Sequence, residues 1–177
     1  MTQRQEFKVL RTYEDFELRE YKPCVIAEVK VSAQYSNATN SAFGSLFRYI
    51  SKGNEGSQKI AMTAPVIASQ KDKKANENEW FVSFVMPSGS TYGHLPNPND
   101  PQVILRELDT ETCIAASFRG RATEDVAEKK IKQLRAAAAK ENLSLSEETR
   151  ICRFDPPFKP GFLQYNEIVI PVYLGDK

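Results

Sequence analysis

The sequence predicts an α+β fold in which duplicated βαββ units form one curved antiparallel sheet, a distorted barrel, with two helices packed on it. The chain has 177 residues, of which 41% are hydrophobic and 27% charged, a balance typical of one globular domain. Segments rich in Val, Ile and aromatic residues surround two segments of helical spacing, and this order occurs twice. One domain is therefore predicted over 1–177, with halves at about 7–87 and 103–173 joined by a Pro-rich loop at 88–102.

Each half is predicted to open with a hairpin. The segment 16–31 is rich in Val, Ile, Tyr and Phe and carries Lys22-Pro23 near its middle. This composition favours two strands joined by a tight turn. The segment 103–119 has the same character and predicts a second hairpin.

A helix is predicted after each hairpin. In the first half, apolar residues recur at the spacing of one helical face over 37–51, and Gly53 then ends the pattern. In the second half, Thr123 is a good capping residue, and the two acidic residues that follow it suit the helix dipole. The residues predicted to face the core are Phe43, Leu46 and Ile50 in the first helix and Ala127, Ile131, Leu134 and Ala138 in the second.

The remaining strands and loops complete the two halves. Strands are predicted at 59–68, 80–86, 150–154 and 163–172. The charged stretch within 70–78 is predicted to be a solvated hairpin tip. The stretch 87–101 contains four prolines and two glycines, so it is predicted to be a long surface connection that either links the halves or covers a site.

Short sequence matches support the duplication. They occur in the same order and at similar elements of both halves, which chance alone produces less often than any single match. The matches are Leu18-Arg19-Glu20 with Leu105-Arg106-Glu107, Cys24-Val25-Ile26-Ala27 with Cys113-Ile114-Ala115-Ala116, and Val85-Met86-Pro87 with Val169-Ile170-Pro171.

The charge balance argues against several classes of partner. The chain has 24 Lys plus Arg against 23 Asp plus Glu, so no net field attracts a nucleic acid or an anionic membrane. No segment has the length of a membrane span, and the polar residues 1–6 are unlike a secretory signal. A cytoplasmic protein is expected, and an organelle after removal of a transit peptide stays open.

Catalytic and metal-binding patterns are absent from the sequence. The single histidine, His94, excludes sites built on two imidazoles and is predicted to be exposed in its loop. Cys24, Cys113 and Cys152 fit neither a closed disulfide framework nor a zinc site, and are predicted to be buried thiols in a reducing compartment. The pair Glu147-Glu148 is predicted to lie on the surface. The protein is therefore not expected to be an enzyme.

The first predicted helix carries a candidate binding face. The residues on it are Asn40, Gly44, Phe47 and Ser51, with Phe43 shared with the core face and Arg48 at the rim. Two interpretations remain open: an apolar floor with an anchor for an anionic group, or Phe47 in the core and Arg48 in solvent. Met62 is equally ambiguous, because its thioether suits an irregular ligand or a core gap.

The segment Lys59-Ile60-Ala61-Met62-Thr63-Ala64-Pro65-Val66 resembles the most diagnostic motif of the SOUL haem-binding protein family. Four further segments agree with it: 13–19, 43–49, 84–87 and 166–168. The resemblance extends from about Phe7 to Tyr173. It implies a duplicated βαββ barrel-like fold and a monomeric or weakly associating protein that binds haem or free porphyrins reversibly.

The resemblance also implies a tetrapyrrole site at the first helix. Phe43 and Phe47 match apolar positions beneath the macrocycle, and Arg48 matches a basic residue near the propionates. Asn40 stands where some relatives have arginine. The loop at 154–162 resembles one near the ligand, and is a second wall or a structural turn. The predicted haem or protoporphyrin site is then Asn40, Phe43, Gly44, Phe47, Arg48, Ser51, Met62 and Phe158.

One departure from the family concerns the iron. Glu20 stands where some relatives have a histidine proposed as axial ligand. A protein ligand to the iron is therefore not expected, and haem and metal-free protoporphyrin are expected to bind alike. The predicted function is an intracellular carrier or buffer of tetrapyrroles.

Two other functions stay open. The fold also resembles effector-binding modules of bacterial multidrug-responsive regulators, some relatives of which hydrolyse small molecules with a carboxylate on a late strand. Glu167 has a comparable place: exposure to a cavity would favour this function, whereas pairing with an arginine would argue against it. A protein-interaction module is the other alternative, but the segment 134–141 is alanine-rich and lacks a series of large apolar anchors.

Overall fold

The computed structural model describes residues 2–173 and has the predicted α+β class. Nine antiparallel strands form a sheet curled into a half-barrel, and two helices pack on it. The strands are β1 (Gln3–Arg4), β2 (Phe7–Thr12), β3 (Glu17–Tyr21), β4 (Cys24–Ser32), β5 (Thr63–Ala64), β6 (Val66–Gln70), β7 (Glu79–Val85), β8 (Ile104–Leu108), β9 (Glu111–Arg119), β10 (Thr149–Arg153) and β11 (Tyr165–Pro171). The helices are α1 (Tyr35–Ile50) and α2 (Glu124–Lys140).

The strand order of the large sheet is β2-β3-β9-β11-β10-β6-β7-β4-β8. The strands β6 and β10 are adjacent at its middle, followed outward by β7, β4 and β8 on one side and by β11, β9 and β3 on the other. Corresponding strands of the two halves therefore occupy corresponding places. The short strands β1 and β5 pair in parallel as a separate sheet.

Both predicted hairpins at the start of the halves are wrong. Only Lys22 and Pro23 separate β3 from β4, yet β3 pairs with β2 and β9, whereas β4 pairs with β7 and β8. Strands β8 and β9 are likewise consecutive in sequence but do not pair with each other. The common two-residue hairpin turns need positive φ at their first central residue. Neither Lys22 nor Asp109 has positive φ, so each linker directs its second strand to a different partner.

Helix α1 begins at Tyr35, two residues before the predicted start, and ends at Ile50. Its buried face packs on β4 and β7 through Leu46 and Ile50, which are 0% and 4% exposed. The stop at Gly53 is confirmed, since the Gly53 N–H donates to the Arg48 carbonyl at 2.8 Å. A Cβ at Gly53 would lie 2.5 Å from that oxygen, so only glycine permits the approach.

Helix α2 packs on β11. Its predicted cap is confirmed, because Thr123 Oγ1 accepts a hydrogen bond from the Val126 N–H at 3.3 Å. Of the four predicted core residues, three are buried, Ala127, Leu134 and Ala138, and Ile131 is partly buried.

Two strand predictions need correction. The segment 59–68 forms strand only from Thr63 onward, and a cis peptide bond between Ala64 and Pro65 separates β5 from β6. Strand β2 was not predicted: it is an exposed edge strand, so its sequence lacks the alternation of a half-buried strand. Within residues 2–173, no helix is long and apolar enough to cross a membrane.

The long loop at 87–101 contains no helix or strand of its own, as predicted. It covers the C-terminal end of α1, where the Tyr49 hydroxyl donates to the Pro96 carbonyl at 2.7 Å. Burial raises the pKa of Tyr49 to about 12. The loop therefore packs on the helix end remote from its first turn.

Candidate ligand-binding site

A cavity of about 690 Å³ lies between α1, the β5–β6 region and the loops that follow β9 and β10. Its volume is in the usual range for small-molecule sites. The first three turns of α1 form one wall, and residues 121–124 and 153–157 form the opposite wall. The larger apolar side chains that line it are Tyr35, Phe43, Phe47, Met62, Val66 and Phe154.

Two aromatic rings of α1 form a floor in this cavity. Phe43 is held against the sheet by an edge-on contact with Phe84, whose ring centroid is 5.4 Å away. Phe47 lies beside Phe43 with its ring only 13° from parallel, at 5.9 Å between centroids. Phe47 is 49% exposed, so the interpretation that places it in the core is wrong. Its free face is available for an apolar ligand.

The predicted site residues fall into two groups. Those that line the cavity are Asn40, Phe43, Phe47 and Met62. Those that do not are Gly44, Arg48, Ser51 and Phe158.

The second group lies outside the cavity for local reasons. Arg48 bends back along α1 and donates to Ser45 Oγ at 3.2 Å, with its guanidinium beside Gly44. Ser51 follows the helix and forms an isolated bridge with Lys59. Phe158 is 87% exposed at the tip of its loop. That loop nevertheless contributes a wall, through Phe154 and the two prolines after Asp155.

The lining residues that the sequence reasoning missed include Tyr35, Arg121 and Arg153. Arg121 lies in the loop before α2, and Arg153 is the last residue of β10. No local pattern distinguishes these arginines from surface cations, because only the packing of the second half against α1 brings them to the cavity. Tyr35 was outside the predicted helix, and it proves to be the first helical residue after the Gln34 cap.

The hydroxyl of Tyr35 is unusual among the lining groups. Tyr35 is 5% exposed, and its hydroxyl is buried without a hydrogen-bond partner among residues 2–173. Burial raises the pKa of the Tyr35 phenol, and the positive charge of Arg153 opposes that effect. A buried phenol without an acceptor carries an unsatisfied donor.

Glu167 does not face the cavity. It lies on the other face of the sheet, 4% exposed, and accepts two hydrogen bonds of 2.9 Å from Arg19 and one of 2.7 Å from the Tyr165 hydroxyl. Burial lowers the pKa of Arg19, but the hydrogen bonds and charges of Glu167 and Tyr21 together outweigh burial, and the net pKa is raised. This pairing with arginine argues against a hydrolytic role for Glu167.

A second ionic cluster corrects the prediction that Glu148 lies on the surface. Its carboxylate accepts from Ser69 at 2.8 Å, from Lys71 at 2.9 Å and from Arg150 at 3.0 Å. Burial would raise the pKa of Glu148, yet the charge of Arg150 and the Lys71 contact lower it to about 2. Glu147, its neighbour in sequence, is exposed as predicted.

The other candidate metal-binding groups lie elsewhere. His94 is exposed, with its Nδ1 2.6 Å from Thr91 Oγ1. Cys113 and Cys152 are buried and Cys24 partly buried, and burial raises the pKa of Cys113 to about 12. The described lining residues include no histidine or cysteine, and residues 2–173 contain no group of three His, Cys, Asp or Glu side chains placed to hold a metal ion.

Comparison with solved structures identifies similar folds. The C-terminal domain of EcmrR has a TM-score of 0.70 at 14% identity, with 94% of this chain and 98% of that chain covered. A hydrolase from Listeria innocua has a TM-score of 0.60 at 11% identity, with 93% and 94% covered. At such low identity these likenesses show a shared fold alone.

Comparison of sequences is more specific. Heme-binding protein 1 of Xenopus laevis is 25% identical over 147 residues, which cover 82% of this chain and 77% of that protein. The family model described as SOUL heme-binding protein matches residues 2–171. With nearly the whole chain matched, this protein belongs to the SOUL heme-binding protein family.

Proposed function

We propose that this protein binds haem or metal-free porphyrin reversibly in the cavity beside α1 and serves as an intracellular carrier or buffer. The observation that carries the proposal is the exposed aromatic floor of Phe43 and Phe47 within a cavity of about 690 Å³. Membership of the family supports tetrapyrrole binding as the general activity. The same cavity has the apolar lining that a flat macrocycle requires.

Apolar burial supplies part of the free energy of binding. Burial of roughly 400 Å² of macrocycle and protein surface, at about 25 cal/mol per Å², contributes on the order of 10 kcal/mol before association costs. Those costs amount to several kcal/mol. The remainder, about 5 kcal/mol, corresponds to a dissociation constant of about 0.1–1 mM, so contacts with the polar substituents of the ring must supply the rest of a carrier's affinity.

We also propose that no protein side chain ligates the iron. The described cavity lining has no imidazole or thiol, and Glu20 lies on β3, outside the cavity. Binding then depends on the ring and its substituents, which haem and protoporphyrin share.

Titration of the purified protein with haemin and with protoporphyrin tests both proposals. We expect dissociation constants within about threefold of each other, followed by absorbance shift and by quenching of Trp80 fluorescence. A haemin affinity a hundredfold higher, with the Soret band of a six-coordinate iron, would contradict the absence of an axial ligand. Failure of both ligands to bind would contradict the proposed function.

The compartment and the oligomeric state are part of the proposal. The three free cysteines suit a reducing compartment such as the cytoplasm. We expect a monomer of 20.0 kDa, the mass of the chain, in light scattering after gel filtration with and without haemin. A dimer that forms only with haemin would contradict a self-contained site.

A small-molecule effector-binding protein is the second candidate. The cavity of about 690 Å³ favours it, because its volume and apolar lining also suit other small molecules. Competition separates the two functions: a panel of apolar drugs that displaces neither porphyrin nor haemin at high micromolar concentration supports the tetrapyrrole function.

A further inference from the structure

The cavity has two chemically different ends. Helix α1 carries lining residues from Tyr35 to Phe47, a span of about 18 Å at 1.5 Å per residue. The Phe47 end is apolar, and the nearby Arg48 points away along the helix to Ser45. The Tyr35 end carries the buried phenol, whose pKa is raised by burial and lowered in part by the charge of Arg153 in the opposite wall.

The loop before α2 brings a second cation to the same opposite wall. Arg121 lines the cavity, and its side chain lies across Gly161. A Cβ on Gly161 would come within 2.8 Å of Arg121 Cγ and Nε. Glycine at this position therefore allows the arginine to pack against the loop that also carries the cavity wall.

Both guanidinium groups lack an acidic partner. Within residues 2–173, neither Arg121 nor Arg153 forms an ion pair or a side-chain hydrogen bond. Asp155 lies in the same wall, but it accepts from Lys159 at 2.9 Å and from the Tyr165 N–H at 2.7 Å. Glu124 is the other lining carboxylate. The wall opposite α1 thus carries two unpaired cations and one unpaired anion, and the same cavity holds the unsatisfied Tyr35 hydroxyl.

We propose that Tyr35, Arg121 and Arg153 form a carboxylate-binding subsite, so that the ligand enters with its acidic edge toward β10 and its apolar body over Phe43 and Phe47. Guanidinium groups bind carboxylates with charge-assisted, often bidentate hydrogen bonds. The phenol of Tyr35 donates to the same carboxylate and loses its unsatisfied state. The subsite rests on the proposed function and moves the propionate contact from Arg48 to the wall of the cavity opposite α1.

Protoporphyrin and its dimethyl ester test the subsite, because they share the ring and differ in the carboxylates. We expect wild-type protein to bind the diacid at least tenfold more tightly than the diester. The double variant Arg121→Gln, Arg153→Gln should lose this selectivity and bind the diester as wild type does. Arg48→Gln is the matched control on α1 and should keep the selectivity.

The outcomes separate the two proposals. Equal binding of diacid and diester by wild type, or loss of selectivity in Arg48→Gln alone, would overturn the subsite and leave porphyrin binding intact. Binding of neither porphyrin would overturn the proposed function and the subsite together.

Tyr35→Phe supplies an independent readout. Because the hydroxyl has no partner in the free protein, its removal should leave the melting temperature unchanged or raised. The same change should weaken diacid binding about fivefold and leave diester binding unaltered. A lower melting temperature with unchanged selectivity would overturn the role of Tyr35, since it would mark the hydroxyl as structural.

Discussion

The buried carboxylates show most clearly how much the surroundings of single residues differ in this protein. Glu148 and Glu167 both lie on the sheet face opposite the helices, and each is held by an arginine: Glu148 by Arg150, two residues further along the chain, and Glu167 by Arg19 of β3. Glu147 and Glu148 are adjacent in sequence, but strand alternation and the turn before β10 place one in solvent and the other among Ser69, Lys71 and Arg150. Amino-acid composition alone does not show which of two neighbouring glutamates is exposed and which is held in an ionic cluster.

Because the pKa of Glu148 is lowered, the free energy of unfolding is expected to fall in acid. Its pKa is about 2 in the folded protein against an ordinary value of 4.5, so its ionised form stabilises the fold above about pH 4.5. That contribution is lost as the pH falls toward 2, and amounts to about 3 kcal/mol at 1.36 kcal/mol per pKa unit. Urea unfolding of wild type and Glu148→Gln between pH 2 and pH 7 should show curves that converge in acid.

Glu147→Gln provides the control for that experiment. Its exposed side chain forms no hydrogen bond or ion pair within residues 2–173. The control should follow wild type at every pH. A Glu148→Gln curve that stays parallel to wild type down to pH 2 would contradict the role assigned to Glu148.

At the scale of elements, α1 serves two purposes with neighbouring residues. Leu46 is fully buried against the sheet, whereas Phe47 is 49% exposed in the cavity. Helical spacing predicted the first role correctly and left the second open, because an aromatic residue beside the core-facing stripe suits either a core or a ligand. The distinction depends on what packs across from the helix, and that is the second half of the chain.

Substitution of the two neighbours separates folding from binding. Phe47→Asp should weaken porphyrin binding by at least tenfold and leave the circular dichroism spectrum unchanged, since the side chain is already half in solvent. Leu46→Ala should instead lower the free energy of unfolding by about 2–5 kcal/mol. Fluorescence titration and urea unfolding of both variants measure these effects.

Phe158→Asp is the matched control for the binding experiment. Phe158 is 87% exposed and does not line the cavity, so this variant should bind porphyrin as wild type does. Unfolding of Phe47→Asp, or loss of binding in Phe158→Asp, would contradict the assigned cavity wall.

At the scale of the whole molecule, the two halves are interleaved. Three pairings of the nine-stranded sheet join strands from different halves: β3 with β9, β4 with β8, and β6 with β10. The first half would expose the edges of β3, β4 and β6 without the second. The loop at 87–101 is therefore a covalent link between halves that are already locked through the sheet.

Division of the chain in that loop tests the interleaving. Fragments 1–93 and 94–177 meet at Gly93, which is exposed and has open space around its Cα. Each fragment alone should lack the dispersed amide spectrum of a folded protein, and an equimolar mixture should regain it. A folded fragment 1–93 would contradict the interpretation that the halves depend on each other.

How much of this could be predicted depends on the range of the interactions. The α+β class, both helices with their end signals at Gly53 and Thr123, and the family motif follow from local patterns, since caps and helical periodicity involve residues a few positions apart. The strand pairings were mistaken because adjacency in sequence favours hairpins, while Lys22-Pro23 does not form the turn that a two-residue hairpin needs.

The sequence by itself determined the class of fold, the family and half of the cavity wall, the half that one helix and its neighbouring motif supply through Asn40, Phe43, Phe47 and Met62. The tertiary structure alone decided the opposite wall, which brings Arg121 and Arg153 to the same cavity as Tyr35 across more than 80 positions of the chain. It also decided that Glu167 is neutralised by Arg19. The physical reason is that burial and charge pairing are properties of surfaces brought together by long-range strand pairing, and no local segment encodes its own partner.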